Sequence, residues 1–259
     1  MFRLGNESCF VPSASLYLHK TILGCEDDMN KKLDYIWQFR HLNNLEPDDK
    51  LAESIHEVFL NGFGLKEGWS KEGIRKALRR STILGLLADS SDHLGGYAMY
   101  TIPDAPLMGT YFIWEDAICL KKEVQGNNLS SNVWNMSASL YPNRKFGWIG
   151  GRTQNPLVVK RYSKLGSLYP FESTYEQGDG KLVMDYLLQN IAEVKDVKQL
   201  DKDHGICHFV YREGRLGDYS MQVNDIEPYE KQLSEWGFHR EQGDAVVIVS
   251  RLARSLGTF

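Results

Sequence analysis

The chain of 259 residues lacks the features that mark several classes of protein. No apolar run approaches the roughly 18 residues that a membrane-spanning helix needs, since the longest are Ile83–Ala88 and Ala245–Val249. The first residues contain no apolar core of a signal peptide, so we expect a cytoplasmic protein with no membrane partner. The four cysteines show no C-x-x-C spacing, which argues against a disulfide framework and against a metal site.

Excess positive charge is also missing. Lys and Arg number 30 against 34 Asp and Glu, which gives a net charge of −4 and argues against a nucleic-acid partner bound through a broad basic face. The sequence contains no G-x-S-x-G, Walker loop or H-E-x-x-H motif to support a hydrolase or nucleotide-dependent enzyme. At 42% hydrophobic residues the composition is that of an ordinary globular protein, so function has to be read from local motifs.

The chain divides into three stretches: an N-terminal extension of residues 1–50, a core of residues 51–170 and a C-terminal extension of residues 171–259. Periodicity in the extensions predicts helices at Asn30–Leu42, at Lys181–Val194 with Asp179 as its cap, and at Ile226–Trp236, which Gly237 ends. It also predicts strands at Ile206–Arg212 and Ala245–Ser250, the second buried on both faces and completing the sheet on the substrate side.

The core reads as helix, helix, three strands, helix, strand and helix. Its predicted helices are Leu51–Phe63, which follows a turn and cap signal at Glu46-Pro47-Asp48-Asp49, one from the N-cap Ser70, one marked by Leu129, Val133, Met136 and Leu140, and one that the N-cap Asn155 opens and that extends to Leu165. Its predicted strands are Thr82–Ala88, Gly95–Ile102, Tyr111–Leu120 and Phe146–Gly150. Antiparallel strands followed by a strand–helix crossover predict an α/β fold with a sheet of mixed strand direction.

One candidate binding segment follows the strand Tyr111–Leu120, where a turn rich in Gly and Asn leads into a helix. Unpaired backbone amides at such a turn add to the positive end of the helix dipole and can bind an anion. Gly and Asn tolerate the positive φ angles that this geometry needs. Considered alone, the segment is either a cradle for a diphosphate or an ordinary strand-to-helix turn.

A second segment begins at Asn155 and contains Tyr162, Leu165 and Gly166. Together the two segments resemble the GCN5-related N-acetyltransferase (GNAT) superfamily. That family has a loop of the form Gln/Arg-x-x-Gly-x-Gly/Ala before a helix, and further on Asn, Tyr, Leu and Gly at the spacing found here. The loop departs from the pattern at two positions. Asn128 stands where the family prefers Gly, and Ser130 stands where it prefers Gly or Ala.

The resemblance covers about residues 51–170. It implies a GNAT-like mixed, mostly antiparallel central sheet flanked by helices, with acetyl-CoA as co-substrate and no metal. It assigns cofactor contacts to the end of the strand, the turn and the second segment: Leu120, Lys122, Gln125, Gly126, Asn127, Asn128, Leu129, Ser130 and Asn155.

The resemblance also implies direct transfer of an acetyl group to an amine, which must lose a proton because free amines have a pKa near 10.4. Strand alternation places Glu115, Ala117 and Cys119 on one face and Asp116 on the other, and we favour Glu115 as the base over a solvated strand end. Tyr162 would protonate the departing thiolate; the alternative is a packed core tyrosine. Arg152 would bind a substrate carboxylate or a cofactor phosphate, or serve as a structural ion-pair partner.

The leading hypothesis is therefore an acetyl-CoA-dependent N-acetyltransferase acting on a small-molecule or peptide amine, with a homodimer left open. A second hypothesis is a catalytically silent module of the same fold that binds an acyl-CoA or a partner protein, which Asn128 and Ser130 favour. The third is a hydrolase or other transferase that resembles the family by accident.

Overall fold

A nine-stranded sheet organises the described part of the protein. The structure is a computed structural model and describes residues 35–42, 48–65, 69–126, 129–130, 133–172, 178–195, 197–211, 216 and 226–256. Within these residues the strands are β1 Ile36–His41, β2 Ile83–Ala88, β3 Leu94–Thr101, β4 Tyr111–Leu120, β5 Phe146–Thr153, β6 Leu168–Tyr169, β7 Leu200–Asp201, β8 Ile206–Cys207 and β9 Ala245–Leu256. They lie in the order β1-β2-β3-β4-β5-β9-β8-β7, and β6 pairs with β9.

Helices cover both faces of this sheet. They are α1 Asp49–Phe63, α2 Lys71–Arg80, α3 Val133–Ser139, α4 Pro156–Ser163, α5 Asp179–Asn190, α6 Ala192–Lys195 and α7 Glu227–Glu235. Buried residues of α3, α4 and α7 share one core with the sheet, which defines face A. Buried residues of α1 and α2, and of α5, pack in two cores on the opposite face B.

All strand pairs among the described residues are antiparallel except β4–β5, which is parallel. This confirms the predicted fold class, a mixed and mostly antiparallel sheet flanked by helices. The β9 segment from Ala245 to Ser250 is fully buried, as its continuous apolar character predicted.

Three helices begin at the residues that the sequence predicts as caps. The side chain of Asp48 accepts a hydrogen bond from the Leu51 amide at 2.6 Å, and Ser70 does the same for Gly73 at 3.1 Å. Asn155 accepts from the Leu157 amide at 2.9 Å and is followed by a proline at the first helical position. Local chemistry therefore fixes where α1, α2 and α4 start.

The predicted helix at Asn30–Leu42 is wrong where the structure describes it, because Ile36–His41 forms the edge strand β1. Trp37 and Phe39 are buried while Gln38 and Arg40 are exposed, which is the alternation of a strand. Both aromatic side chains pack into the face A core. The i, i+3 spacing of apolar residues was a weaker signal than this period of two.

Other boundaries also differ from the sequence expectation. The helix after β4 begins at Val133, and Leu129 lies in the turn before it. Asp179 is the first residue of α5 and not its cap, and α5 stops at Asn190, so Lys181–Val194 is not one helix. Within residues 206–211 the strand predicted at Ile206–Arg212 covers two residues, because the backbone of Phe209 adopts a positive φ of 56°; Arg212 lies outside the described residues.

A register shift in β4 overturns the predicted alternation of its faces. Tyr100 of β3 pairs with Glu115 and Met99 pairs with Ala117, so Asp116 is the extra residue of a β-bulge. The side chain of Glu115 consequently lies on face A, whereas those of Ala117 and Cys119 pack on face B. Glu115 therefore does not share a face with Ala117 and Cys119, because strand alternation fails at an inserted residue.

Candidate active site

The two parallel strands β4 and β5 separate from each other halfway along β4. Their pairing ends at Glu115 and Gly151. Beyond that pair β4 continues to Leu120, while Arg152 and Thr153 of β5 pair with β9 on the other side. Within the described residues, no strand pairs with the second half of β4 on its β5 side. We call this opening the β4–β5 gap.

Backbone groups of β4 point into the gap. The amide of Lys121 donates to the carbonyl of Gly95, and Leu120 lies opposite Gly96. Because backbone N–H groups alternate in direction along an antiparallel strand, those of Ile118 and Leu120 point away from β3. The second half of β4 therefore presents main-chain donors and acceptors that an extended ligand could pair with, as an added strand would.

Tyr162 lies at the point where the two strands separate. Its side chain is fully buried, and its hydroxyl has no hydrogen-bond partner in the described part of the chain. A Cβ atom at Gly151 would lie 2.9 Å from this hydroxyl, so only glycine leaves room for it. A buried hydroxyl without a partner is costly, and a ligand group in the gap would satisfy it.

Glu115 is held by two donors on face A. Arg161 donates from Nη2 to Oε1 at 2.6 Å, and the indole of Trp134 donates to Oε2 at 2.7 Å. The guanidinium also lies 4.4 Å from the Trp134 ring, and the ring of Trp134 meets that of Tyr162 edge-on at 5.4 Å. Glu115, Trp134, Arg161 and Tyr162 thus form one packed group, here called the Tyr162 cluster.

Burial and neighbouring charges shift the pKa of Tyr162 and of Arg161 in this cluster. Burial and the Glu115 carboxylate raise the pKa of Tyr162 well above its usual value of 10.0, so the phenol stays protonated. Burial lowers the pKa of Arg161, but the charge and hydrogen bond of Glu115 together with the nearby Tyr162 and Tyr100 outweigh it, and the net shift is upward. Both oxygens of Glu115 are engaged and its charge is paired, which does not favour its predicted role as a free base.

The turn after β4 is organised differently from a simple strand-to-helix turn. A short 3₁₀ turn covers Lys122–Val124, and the side chain of Gln125 donates to the carbonyls of Leu120 at 2.7 Å and Gly62 at 3.1 Å. The amide of Lys122 is bound by the side chain of Asn61 at 2.8 Å. These bonds tie the turn to the end of α1 and engage the side-chain nitrogen of Gln125 and the backbone amide of Lys122.

Farther along the turn, Gly126 has a φ of +82°, the left-handed conformation that the Gly-rich sequence predicted, and a Cβ there would meet nothing within 4 Å. The carbonyl of Leu129 accepts a hydrogen bond from the Trp37 indole at 2.8 Å, and Ser130 is half-buried. Asn127 and Asn128 lie outside the described residues, so the cofactor contacts assigned to them stay predictions.

The two remaining predicted residues lie at the other side of the gap. The Asn155 side chain caps α4, as described above, next to the end of β5. Arg152 follows Gly151 and lies on face B, where its guanidinium carbon is 5.6 Å from the centre of the Tyr211 ring. The structure thus brings Tyr162, Glu115 and Asn155 to face A around the gap, and places Arg152 on the opposite face.

The bulged residue Asp116 is buried on face B. Its carboxylate accepts hydrogen bonds from Thr101 at 2.7 Å and Ser81 at 2.9 Å, and Nε of Arg80 lies 3.7 Å from its other oxygen. Burial raises the pKa of Asp116 to about 6, against the lowering effect of these donors. The gap is therefore flanked by a buried carboxylate on each face, Glu115 on face A and Asp116 on face B.

Sequence reasoning missed Trp134, Arg161 and Arg80. Arg161 precedes Tyr162 on a short helix and follows a lysine, which is typical of a solvated helix end. A signal for Arg80 or Trp134 is not visible in the sequence, because both act through contacts between distant elements. The bulge at Asp116 is equally hidden, since no glycine marks it.

Other ionisable side chains that could suggest a functional site have structural partners. His204 pairs with Asp201 at 2.8 Å and His208 with Asp244 at 3.0 Å. Burial raises the pKa of the Cys119 thiol to about 12, which keeps it unreactive. In the described part of the chain, no three His, Cys, Asp or Glu side chains form a group that could hold a metal ion. Its helices include none long and apolar enough to cross a membrane.

Solved structures similar to this chain include N-acetyltransferases. A GNAT family N-acetyltransferase (YhbS) from Escherichia coli in complex with CoA is 11% identical over 52% of this chain and 71% of its own, with a TM-score of 0.37. The ribosomal-protein-S18-alanine N-acetyltransferase from Escherichia coli is 9% identical over 51% of this chain and 81% of its own, with a TM-score of 0.38. A putative phosphinothricin N-acetyltransferase is 14% identical over 56% of this chain and 91% of its own, with a TM-score of 0.38.

These structures include one named for the GNAT family, which the Asn155–Gly166 motif resembles. Similarity at this level carries no information about activity or substrate. No protein-family model matches the sequence, and no curated protein does so.

Proposed function

We propose that the protein is an acetyl-CoA-dependent N-acetyltransferase whose β4–β5 gap receives the acetylated end of the cofactor. The observation that carries this proposal is the buried, unpartnered hydroxyl of Tyr162 at the point where β4 and β5 separate. The motif from Asn155 to Gly166 supports it independently, because it was identified from residue types and spacing alone.

The residues around the gap fit an extended pantetheine arm. Such an arm carries amide groups, and the outward-facing backbone groups of Ile118 and the N–H of Leu120 can pair with them as they would with a strand. Bound acetyl-CoA supplies a thioester, whose carbonyl carbon accepts the nucleophile. A backbone N–H of β4 at the gap would stabilise the negative charge that develops on the carbonyl oxygen. Gly126 and its neighbours, including Asn127, Asn128 and Ser130, would lie near the diphosphate.

Tyr162 is suited to act as a general acid. The nitrogen of the neutral amine bonds to the acetyl carbon, the carbon–sulfur bond breaks, and the sulfur takes a proton from Tyr162. The proton that the nitrogen then releases passes to solvent, and the Tyr162 phenolate takes a proton back from solvent. The phenol is protonated at neutral pH, so it holds a proton that the departing thiolate can take. Glu115 and Trp134 hold Arg161 against the tyrosine ring, so we assign Glu115 a positioning role in place of the base. Asn155 would order the pantetheine or a water molecule.

The second candidate function is a catalytically silent module that binds an acyl-CoA. One observation favours it: Glu115, the predicted base, is tied to Arg161 and Trp134. A module of this kind needs the gap but does not need a group that accepts the amine proton.

Turnover separates the two functions. We expect the protein to release free thiol from acetyl-CoA, detected with a disulfide reagent, only when an acceptor amine from a broad panel is present. Mass spectrometry should show the matching acetylated amine. Binding of acetyl-CoA without release of thiol for any amine would instead identify the silent module. Thiol release that is independent of an amine would point to hydrolysis and contradict both.

A further inference from the structure

The Tyr162 cluster contains a second buried polar atom that lacks a partner. Nε of Arg161 is buried and has no hydrogen-bond partner among the described residues, as is true of the Tyr162 hydroxyl. The same guanidinium uses Nη2 to donate to Oε1 of Glu115 at 2.6 Å. Two polar atoms of neighbouring side chains are thus buried without a partner, an arrangement that costs free energy in the resting protein.

The Arg161 guanidinium is held beside the Tyr162 phenol. Its central carbon lies 5.6 Å from the centre of the Tyr162 ring and 4.4 Å from the centre of the Trp134 ring. Trp134 also meets the Tyr162 ring edge-on at 5.4 Å, so one indole packs against both side chains. Glu115 anchors the guanidinium, and its other oxygen accepts from the Trp134 indole at 2.7 Å. These contacts keep a cation with a spare N–H donor next to the phenol.

The proposed reaction creates a negative charge at this place. When the departing sulfur takes the proton of Tyr162, the O–H bond breaks, an S–H bond forms and the negative charge passes from sulfur to the phenol oxygen. Burial and the Glu115 charge raise the pKa of Tyr162 well above 10.0, whereas a free thiol has a pKa of about 8.5. Proton transfer in this direction is therefore uphill, and Arg161 opposes the upward shift of the tyrosine pKa.

We propose that Nε of Arg161 donates a hydrogen bond to the Tyr162 oxygen once that oxygen has given its proton to the departing sulfur, and so stabilises the phenolate. This inference rests on the proposed function, because it names the group that makes Tyr162 an effective acid. Arg161 acts through Tyr162 as a positioning residue and keeps its own protons, since a guanidinium stays charged in proteins. Its hydrogen bond becomes stronger as negative charge develops on the oxygen, which favours the transition state over the resting state.

The test measures the acidity of the phenol directly. A fluorinated tyrosine replaces Tyr162, because fluorine makes the phenol acidic enough to titrate while the protein stays folded, and fluorine NMR reports its pKa. The variants are Glu115→Gln and Glu115→Gln combined with Arg161→Met, which differ only in Arg161. We expect the pKa in the double variant to exceed that in Glu115→Gln by about one to two units, equivalent to the 10- to 100-fold effect of a charge-assisted hydrogen bond.

Comparison with the wild type separates the hydrogen bond from simple charge balance. Arg161 and Glu115 together carry no net charge, and neither do the two side chains that replace them in the double variant. The pKa of the fluorinated phenol should nevertheless be higher in the double variant than in the wild type. A pKa no higher than that of the wild type would overturn the inference, because Arg161 would then only offset the charge of Glu115.

Two further measurements complete the test. Arg251→Met removes an exposed arginine that pairs with Asp179, and it should leave the pKa of the fluorinated phenol unchanged. In the protein with its natural Tyr162, the double variant should lower kcat about 10- to 100-fold with little change in the KM for acetyl-CoA. The titration needs no turnover, so it decides the inference even if no amine is acetylated and the proposed function fails.

Discussion

Replacing Arg161 by methionine is expected to lower the free energy of unfolding by about 3–5 kcal/mol, the cost of leaving a buried charge without its partner. Glu115 is the charge that remains, with its side chain 7% exposed and Arg161 at 2.6 Å. The Trp134 indole still donates to it, but one neutral hydrogen bond does not replace a guanidinium. Denaturant unfolding measures the loss as a lower midpoint.

Two further variants show whether the buried pair is the cause. Glu115→Gln combined with Arg161→Met should recover most of the lost stability, because glutamine keeps an acceptor for Trp134 and carries no charge. Arg251→Met removes an arginine of an exposed pair with Asp179 and should change the stability by less than about 1 kcal/mol. A loss in Arg161→Met no larger than that in Arg251→Met would contradict the geometry of the Tyr162 cluster.

Replacing Tyr162 by phenylalanine is expected to reduce turnover by about 10²- to 10⁴-fold, the usual contribution of a general acid. The affinity for acetyl-CoA should stay close to that of the wild type, because the phenol ring and its contact with Trp134 are kept. The free energy of unfolding should not fall, since the hydroxyl that is removed has no partner in the described residues. Steady-state kinetics, calorimetry and denaturant unfolding measure the three quantities.

Tyr97→Phe provides the matched control. Tyr97 is also a buried tyrosine of the sheet, but it packs in the face B core of α1 and α2, on the opposite face of the sheet from Tyr162. Its replacement should leave turnover unchanged. Equal turnover in Tyr162→Phe and the wild type, with the chemical step shown to limit the rate, would remove Tyr162 from the acid role and leave it as a core tyrosine.

Much of the fold follows from local signals in the sequence. The caps Ser70 and Asn155 and the bounds of β4 were predictable, because each depends on a few neighbouring residues. β1 was mistaken for a helix because its partner strand β2 lies more than 40 residues away, and pairing with it decided the outcome. The secondary structure of a short apolar segment is decided by the elements that it pairs with and not by the spacing of its own apolar residues.

The candidate site was predictable in outline only. Tyr162 and Asn155 carried enough of a motif to be found, and the structure places both beside the gap. The ion pair between Glu115 and Arg161 joins β4 to α4 across a separation of 46 residues in the sequence. The Glu115 carboxylate, which the sequence predicts as a base, lies in a buried ion pair with no net charge. Only the three-dimensional contacts reveal this pair.

The most direct test of the account is amide hydrogen exchange across β4 with and without saturating acetyl-CoA. We expect the amides of Ile118 and Leu120 to exchange at least about tenfold more slowly when acetyl-CoA is bound, because a ligand in the gap would supply the acceptors that β5 does not. The amides of β2, whose strand pairs on both sides, serve as the internal reference. Unchanged exchange at Ile118 and Leu120 in millimolar acetyl-CoA would contradict cofactor binding in the gap, and with it the proposed acetyltransferase.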